Sequence, residues 1–184
     1  MHYGAKEAEV LSVKKEPMKQ VRPQGLNTIK LLKVGSQSFG MSAFETMKIA
    51  EHLYLRGYTT YPRTESTTFS PNFNFKEVLS ALKEHHDYGG YAAGLLRNGF
   101  QKPRQGHDAG DHPPITPVRA AEPGELGDRE LRVYEYITTS FLACISRDAT
   151  YSGIRTELLI GEEKFKLKGQ NIVDRGFLEI MPWQ

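Results

Sequence analysis

The chain has 184 residues, 39% of them hydrophobic, and a formal net charge of +2, which suits one sizeable core or two small ones. So small a positive charge admits nucleic acid as a partner without arguing for it. The lone Cys144 excludes an internal disulfide and a cysteine zinc site, and the absence of a long apolar run or signal-peptide core points to an intracellular protein with no membrane partner.

Residues 8–22 read as extended, with Val10, Leu11 and Val13 as strand formers, before Pro23-Gln24-Gly25 breaks the chain. Lys14, Lys15, Lys19 and Arg22 read as a solvated face. A helix is expected over 28–38, capped by Asn27 or Thr28, with Ile29, Leu31 and Leu32 on its buried side. Gly40 closes a turn into a second helix over 43–56. Ser42-Ala43-Phe44-Glu45 is a capping box for it, Phe44, Met47, Ala50 and Leu53/Tyr54 recur at helical spacing, and Gly57 ends it. Two helices across a short glycine turn make a helix-turn-helix shape.

Residues 58–74 read as strand or loop. A helix over 75–85 follows, capped by Asn74, with Phe75, Val78, Leu79 and Leu82 inside, then a shorter one over about 90–98. Residues 100–126 carry five prolines and read as loop. Asp128 is expected to cap a long helix to about 146, with Leu131, Tyr134, Ile137, Phe141 and Ile145 inside. From Tyr151 the pattern turns to strands. Segments 154–160 and 164–168 flank Gly161-Glu162-Glu163 as a hairpin, and Ile172-Val173 and Phe177–Ile180 read as further extended segments. The fold class is therefore α+β. A mainly helical domain, 27–149, with its helix-turn-helix pair, is inserted in a partial antiparallel β portion made by 1–26 and 150–184.

Tyr61-Pro62-Arg63-Thr64-Glu65-Ser66, just past the second helix, carries the most chemistry. A tyrosyl oxygen can attack phosphorus and hold one end of a broken strand covalently. An unperturbed tyrosine titrates near about 10, so it needs a neighbouring cation or base. Arg63, two residues on, faces the same way in an extended segment and offers planar donors to phosphate. The plainer reading of the pair is a half-buried tyrosine beside a surface arginine.

The second segment runs from Gly106 to Pro117 and holds His107, Asp108, Asp111 and His112. Two histidines and two aspartates can ligate a metal, but the glycines and prolines read better as a rigid loop. The alternative is phosphate or base recognition by His112, held by Pro113-Pro114. Lys102, Arg104 and His107 make the loop's entry basic. Lys164-Phe165-Lys166-Leu167-Lys168 reads as an ordinary half-exposed strand. There is no phosphate-binding glycine loop ending in Gly-Lys-Ser/Thr and no Asp-x-Asp pair to cradle magnesium.

These segments resemble the type IA DNA topoisomerases. The resemblance rests on the helix Phe44–Tyr54, Gly57-Tyr58 and Tyr61–Ser66. It extends to Arg22–Thr28 upstream, Asp111–Pro117, and the helix around Leu131–Ile137 downstream. The 106–117 loop and Met181-Pro182-Trp183-Gln184 look most like a eukaryotic branch of that family. The resemblance implies that Tyr61 attacks a single strand to form a 5′-phosphotyrosyl link, that a second strand passes, and that the freed 3′-hydroxyl reverses the link without ATP. It casts Arg63 as the ligand of the scissile phosphate, His112 as a strand contact and Glu65 as a shaper of the pocket. With the basic loop entry, the nucleic-acid-binding set is His112, Glu65, Thr64, Ser66, Arg104 and His107.

The resemblance implies that the helical block is winged-helix-like and carries the tyrosine, and that the terminal β segments belong to the arch that opens the gate. No metal is expected on these residues. The Mg2+ of the family would be held by an acidic domain outside this sequence, so the chain alone is expected to be inactive. Expected partners are single-stranded DNA, RNA as a further substrate, the remainder of the topoisomerase chain and an accessory protein, in the nucleus and also the cytoplasm. Two other readings stay open: a non-catalytic winged-helix module that binds nucleic acid, and a purely structural arch. The catalytic reading requires Tyr61, Arg63 and His112 to converge on one cleft.

Overall fold

The computed structural model describes residues 7–184, which fall into two compact units. One comprises Asp148–Gly176 with the described part of Met1–Val21, and the other comprises Arg22–Arg147 with Phe177–Gln184. No helix among the described residues is long and apolar enough to cross a membrane.

The first unit is a three-stranded antiparallel sheet in the order β1 (Glu9–Gln20), β2 (Ala149–Ile160), β3 (Glu163–Asp174). β2 and β3 form a tight hairpin in which Ile160 pairs with Glu163, and Gly161 adopts the left-handed φ of +62° that the turn requires. β1 pairs along β2 from Gln20 opposite Ala149 to Glu9 opposite Leu159, with an irregularity between Val10 and Ser12. Both hairpin strands are longer than their apolar cores indicated, because cross-strand pairing extends through Lys- and Gln-bearing positions.

Phe177–Ile180 is not a strand. Gly176–Glu179 is a 3-10 turn, and Phe177 and Leu178 are both buried, which alternating strand faces would not allow in a one-sided sheet. Its start is held where the Phe177 N–H donates to the Arg147 carbonyl at 2.8 Å.

The second unit contains α1 (Thr28–Phe39), α2 (Ala43–Leu55), α3 (Phe75–Leu82), α4 (Gly89–Asn98) and α5 (Asp128–Cys144). Side-chain oxygens of Asn27, Ser42 and Asn74 accept the N–H groups of Lys30, Glu45 and Glu77 at 3.0, 3.1 and 3.2 Å, satisfying donors that a helix start leaves open. Asp128 does not cap α5. Gly127 holds that position, and the Glu130 carboxylate reaches back to its N–H at 3.2 Å. The third helix ends at Leu82 rather than near 85, and His85 turns inward beyond it.

α5 is buried on all sides from Tyr136 to Cys144 and forms the axis of the unit. Leu79, Leu82, Ala92, Phe141, Leu142, Cys144 and Ile145 make its core. Phe69, Phe73 and Phe75 stack beside them, with neighbouring ring centroids 4.7 to 5.1 Å apart.

Ile29 and Phe44, expected inside, are 67% and 79% exposed, and Leu131 is also at the surface. α1 instead buries Leu31 and Gly35, and α2 buries Thr46, Met47, Ala50 and Leu53. The cause is a close approach. A β-carbon at Gly35 would lie 2.2 Å from Thr46 Oγ1, so glycine lets the helices meet along that line and leaves their other apolar residues outside it.

Candidate nucleic-acid cleavage site

Two loops meet at the N-terminus of α1. In the first, residues 61–66, the chain is bound to Thr28. The Thr28 hydroxyl donates to the Pro62 carbonyl at 2.6 Å, the Thr64 N–H donates to the Thr28 hydroxyl oxygen at 2.8 Å, and the Thr28 N–H donates to the Thr64 carbonyl at 3.0 Å. The residue that begins the helix thus fixes the backbone on both sides of Arg63.

The second loop, residues 106–117, lies along the first. Thr60 and Thr116 are reciprocally bonded: the Thr60 N–H reaches the Thr116 carbonyl and the Thr116 N–H reaches the Thr60 hydroxyl, both at 2.9 Å. The Ile115 N–H donates to the Leu26 carbonyl at 2.8 Å. Asp111 is the main staple. Its carboxylate accepts the Glu65 N–H at 2.9 Å and the Ser66 hydroxyl at 2.7 Å. The Thr64 hydroxyl reaches the His112 carbonyl at 2.6 Å, with Asp111 Oδ1 at 3.1 Å. These donors, the Glu65 N–H first and the Ser66 hydroxyl next, hold the Asp111 carboxyl well below the usual carboxylate range.

This lacing places Tyr61 beside His112, with ring centroids 4.7 Å apart and planes at 63°. The other side of Tyr61 meets Tyr54 of α2, at 5.3 Å and 70°. Both contacts are edge-to-face, and Tyr61 is half-buried. Tyr54, Thr60, Tyr61, His112, Pro113 and Val118 line a surface cleft of about 380 Å³.

Arg63 does not line that cleft, so of the three groups that the catalytic reading brings together only Tyr61 and His112 meet there. Its Nε and Nη2 both reach Glu51 Oε1 at 2.7 Å, and Glu51 raises the guanidinium pKa by hydrogen bond and by charge. Thr64 and Ser66 are buried, their hydroxyls turned to Asp111 and the second loop, while Glu65 is exposed. Arg104 lies elsewhere on the loop, donating through Nη1 to the Arg22 carbonyl at 2.9 Å. His107 exchanges backbone bonds with Thr67: its carbonyl accepts the Thr67 N–H at 2.8 Å, and its N–H donates to the Thr67 hydroxyl at 2.9 Å. Neither Arg104 nor His107 lines the cleft.

No group of three His, Cys, Asp or Glu among the described residues is placed to hold a metal ion. Three of the nearby carboxylates are already engaged, Asp111 by hydroxyl and amide donors, Glu51 by Arg63 and Asp108 by the Gly110 N–H at 3.0 Å, while Glu65 is exposed.

The sequence does not single out Thr28, Glu51 and Tyr54 as parts of the site, and it gives Asp111 as one member of the 106–117 loop without its role of joining that loop to the first. Glu51 and Tyr54 did leave a signal. They lie three apart on the helix that leads into Tyr61, so they share a face. Thr28 gave none beyond its capping position.

Residues 2–184 match the family model described as DNA topoisomerase. The chain is 43% identical to human DNA topoisomerase 3-beta-1 over 179 residues, 97% of this chain and 21% of that protein. It is 43% identical to Arabidopsis thaliana DNA topoisomerase 3-beta over 176 residues, 96% of this chain and 20% of that protein. The chain thus spans about a fifth of the length of the curated relatives it matches. Full-length topoisomerase I from Thermotoga maritima has a similar fold, with a TM-score of 0.71 at 22% identity, over 96% of this chain and 30% of that one.

Proposed function

We propose that this chain, which belongs to the type IA DNA topoisomerase family, is the piece of the enzyme that carries the strand-cleaving tyrosine. One observation carries the reading. Tyr61 stands in an open cleft against His112, on a loop that Thr28 anchors and that Asp111 binds to the second loop. Such preorganisation is what an in-line attack on phosphorus needs.

In this reading the Tyr61 oxygen attacks the phosphorus of a single strand. The phosphorus–3′-oxygen bond breaks, a 5′-phosphotyrosyl link forms, and the 3′-hydroxyl leaves. A second strand passes, and the 3′-hydroxyl then attacks the link, restoring the phosphodiester and the free tyrosine. The link conserves the bond, so ATP is not consumed. Arg63 neutralises charge on the scissile phosphate and His112 touches the strand beside it. Thr64 and Ser66 act through the Asp111 staple and Glu65 at the rim. Arg104 and His107 take phosphates further along the loop.

The family depends on magnesium. Glu51 and Asp111 near Tyr61 are bound to other donors, and no group of three His, Cys, Asp or Glu among the described residues is placed to hold the ion, so no step here is routed through the metal. Its ligands belong to the remainder of the enzyme, which the chain needs for turnover. Single-stranded DNA is the substrate, RNA a second one, and the nucleus the principal place of action, with a cytoplasmic share and an accessory protein.

The test is complementation. The chain is mixed with the acidic remainder of the enzyme, magnesium and end-labelled single-stranded DNA, beside a Tyr61→Phe control. A denaturant-resistant adduct that the control lacks supports the reading. Assembly and DNA binding on native gels without an adduct from either protein would sink it, and a non-catalytic nucleic-acid-binding module would take its place.

A further inference from the structure

The Arg63–Glu51 pair is unlike an ordinary surface ion pair in where it sits. Glu51 and Tyr54 are one helical turn apart on α2. Tyr54 packs on Tyr61, and Glu51 holds Arg63 two residues further on. One face of one helix therefore grips both groups that the cleavage reaction uses. α2 is itself fixed. Ala50 and Leu53 are fully buried, His52 Nδ1 lies 2.6 Å from Glu130 Oε1 on α5, and Arg56 donates to the Glu125 carbonyl at 3.0 Å.

The geometry of the pair leaves the guanidinium usable. Both donors, Nε and Nη2, converge on a single oxygen, Glu51 Oε1. A guanidinium carries five N–H groups in a rigid plane, so the Nη1 side remains available to a phosphate while the Glu51 side is held. A long side chain on a loop would otherwise have to be ordered at the moment of reaction. We propose that Glu51 is a positioning residue for strand cleavage: it holds Arg63 by one edge so that the other edge meets the scissile phosphate beside Tyr61. This rests on the reading of Tyr61 and Arg63 given above.

The experiment uses the longer enzyme with magnesium and a labelled single-stranded oligonucleotide. It compares wild type, Glu51→Ala, Glu51→Gln, Arg63→Ala and the Glu51→Ala/Arg63→Ala double variant. Glu51 and Arg63 are 38% and 57% exposed at their side chains, so these changes open no core. The rate of Tyr61 adduct formation at saturating DNA and the apparent KM are read separately.

For Glu51→Ala the saturated rate is expected to fall about tenfold or more, within the roughly hundredfold that a misplaced group can cost, with KM changed by less than about threefold. Glu51→Gln keeps an oxygen for both donors and should recover most of that rate. The double variant should cleave as Arg63→Ala does, because Glu51 acts only through Arg63.

A wild-type rate in Glu51→Ala would overturn the proposal, as would an equal further loss in the Arg63→Ala background. A Glu51→Gln as slow as Glu51→Ala would also overturn it, since charge rather than placement would then be at work. Absence of any adduct from the wild-type enzyme would instead defeat the Tyr61 reading on which the inference stands.

Discussion

Gly25 offers a direct test of how the two loops are held. Its φ is not in the left-handed region, so the backbone tolerates alanine. The space does not. A β-carbon there would lie 2.6 Å from Pro114 Cγ, 2.7 Å from Pro114 Cβ and 2.8 Å from the Thr67 carbonyl oxygen. Carbon atoms prefer about 3.5–4.0 Å, so the methyl overlaps a ring and a backbone group by roughly 1 Å. Neither neighbour is a flexible side-chain end. Overpacking of this kind costs about 1–3 kcal/mol. At roughly 2–4 °C per kcal/mol for a chain of this size, Gly25→Ala should lower Tm by about 2–12 °C.

Gly94 is the matched control. It lies inside α4, and a β-carbon there meets nothing within 4 Å. Replacing it removes glycine's helix penalty of about 1 kcal/mol, so Gly94→Ala should melt about 2–4 °C higher. Differential scanning calorimetry of both variants decides the matter. The strain has a second readout, because Pro114 follows His112 by two residues and Thr67 follows Ser66. Gly25→Ala should therefore slow Tyr61 adduct formation in the complementation assay, while Gly94→Ala leaves it unchanged. A Gly25→Ala protein that melts at or above wild type would refute the packing argument, whatever its activity.

The remaining predictions concern titration and exposure. Asp111 has a carboxyl pKa lowered by folding, so its contribution is present above the unfolded value near about 4 and is lost as pH falls through that value toward the folded one. Asp111→Asn should melt lower at neutral pH and show a shallower Tm decline on acidification, measured by thermal melts from pH 7 to 2.5. His85 is buried, and its Nδ1 accepts the Asp87 N–H at 3.1 Å, so the folded state keeps it neutral and burial lowers its pKa below the ordinary 6.5 or so. The unfolded chain then binds the proton first, and wild type should lose stability as pH falls below about 6.5, a loss that His85→Gln lacks. Cys144 is fully buried and its thiol is pushed up to about 12. A thiol reagent should modify it only on unfolding, so modification in native buffer as fast as in full denaturant would contradict its place in the core.

What could be read in advance follows the range of the forces involved. The caps at Ser42 and Asn74 are local, each decided within three residues, and the sequence displays them directly, while it narrows the first to Asn27 or Thr28, of which Asn27 is the cap. The hairpin turn at Gly161 is legible for the same reason. Ile29 and Phe44 misled because helical periodicity gives an apolar face without saying which part of it meets a neighbour. The Gly35–Thr46 approach decided that, and it depends on two helices at once. Phe177–Ile180 misled because a short apolar run is compatible with a strand or a buried turn. Within the site, Tyr61 and His112 were noticed for their residue type and motif. Asp111 matters through its distance to Glu65 and Ser66, which no spacing along the chain discloses, and Glu51 through its distance to Arg63, of which its spacing from Tyr54 shows only the shared helix face.

The pairing of Gln20 with Ala149 bears on the order in which the chain acquires its structure. The β2–β3 hairpin closes across two residues and can form within microseconds. β1 cannot join it until its end meets a residue about 130 positions away, an encounter that costs about 4 kcal/mol in loop-closure entropy for an unstructured intervening chain. Prior collapse of the α1–α5 unit shortens that search. The strand at the start of the chain should therefore be among the last to gain amide protection in a pulse-labelled refolding experiment. During synthesis it would wait, unpaired, until Ala149–Ile160 had also been made. Its lysines and its Pro17 suit that delay, since charge and a missing donor are what keep an unpartnered strand edge from pairing with another chain.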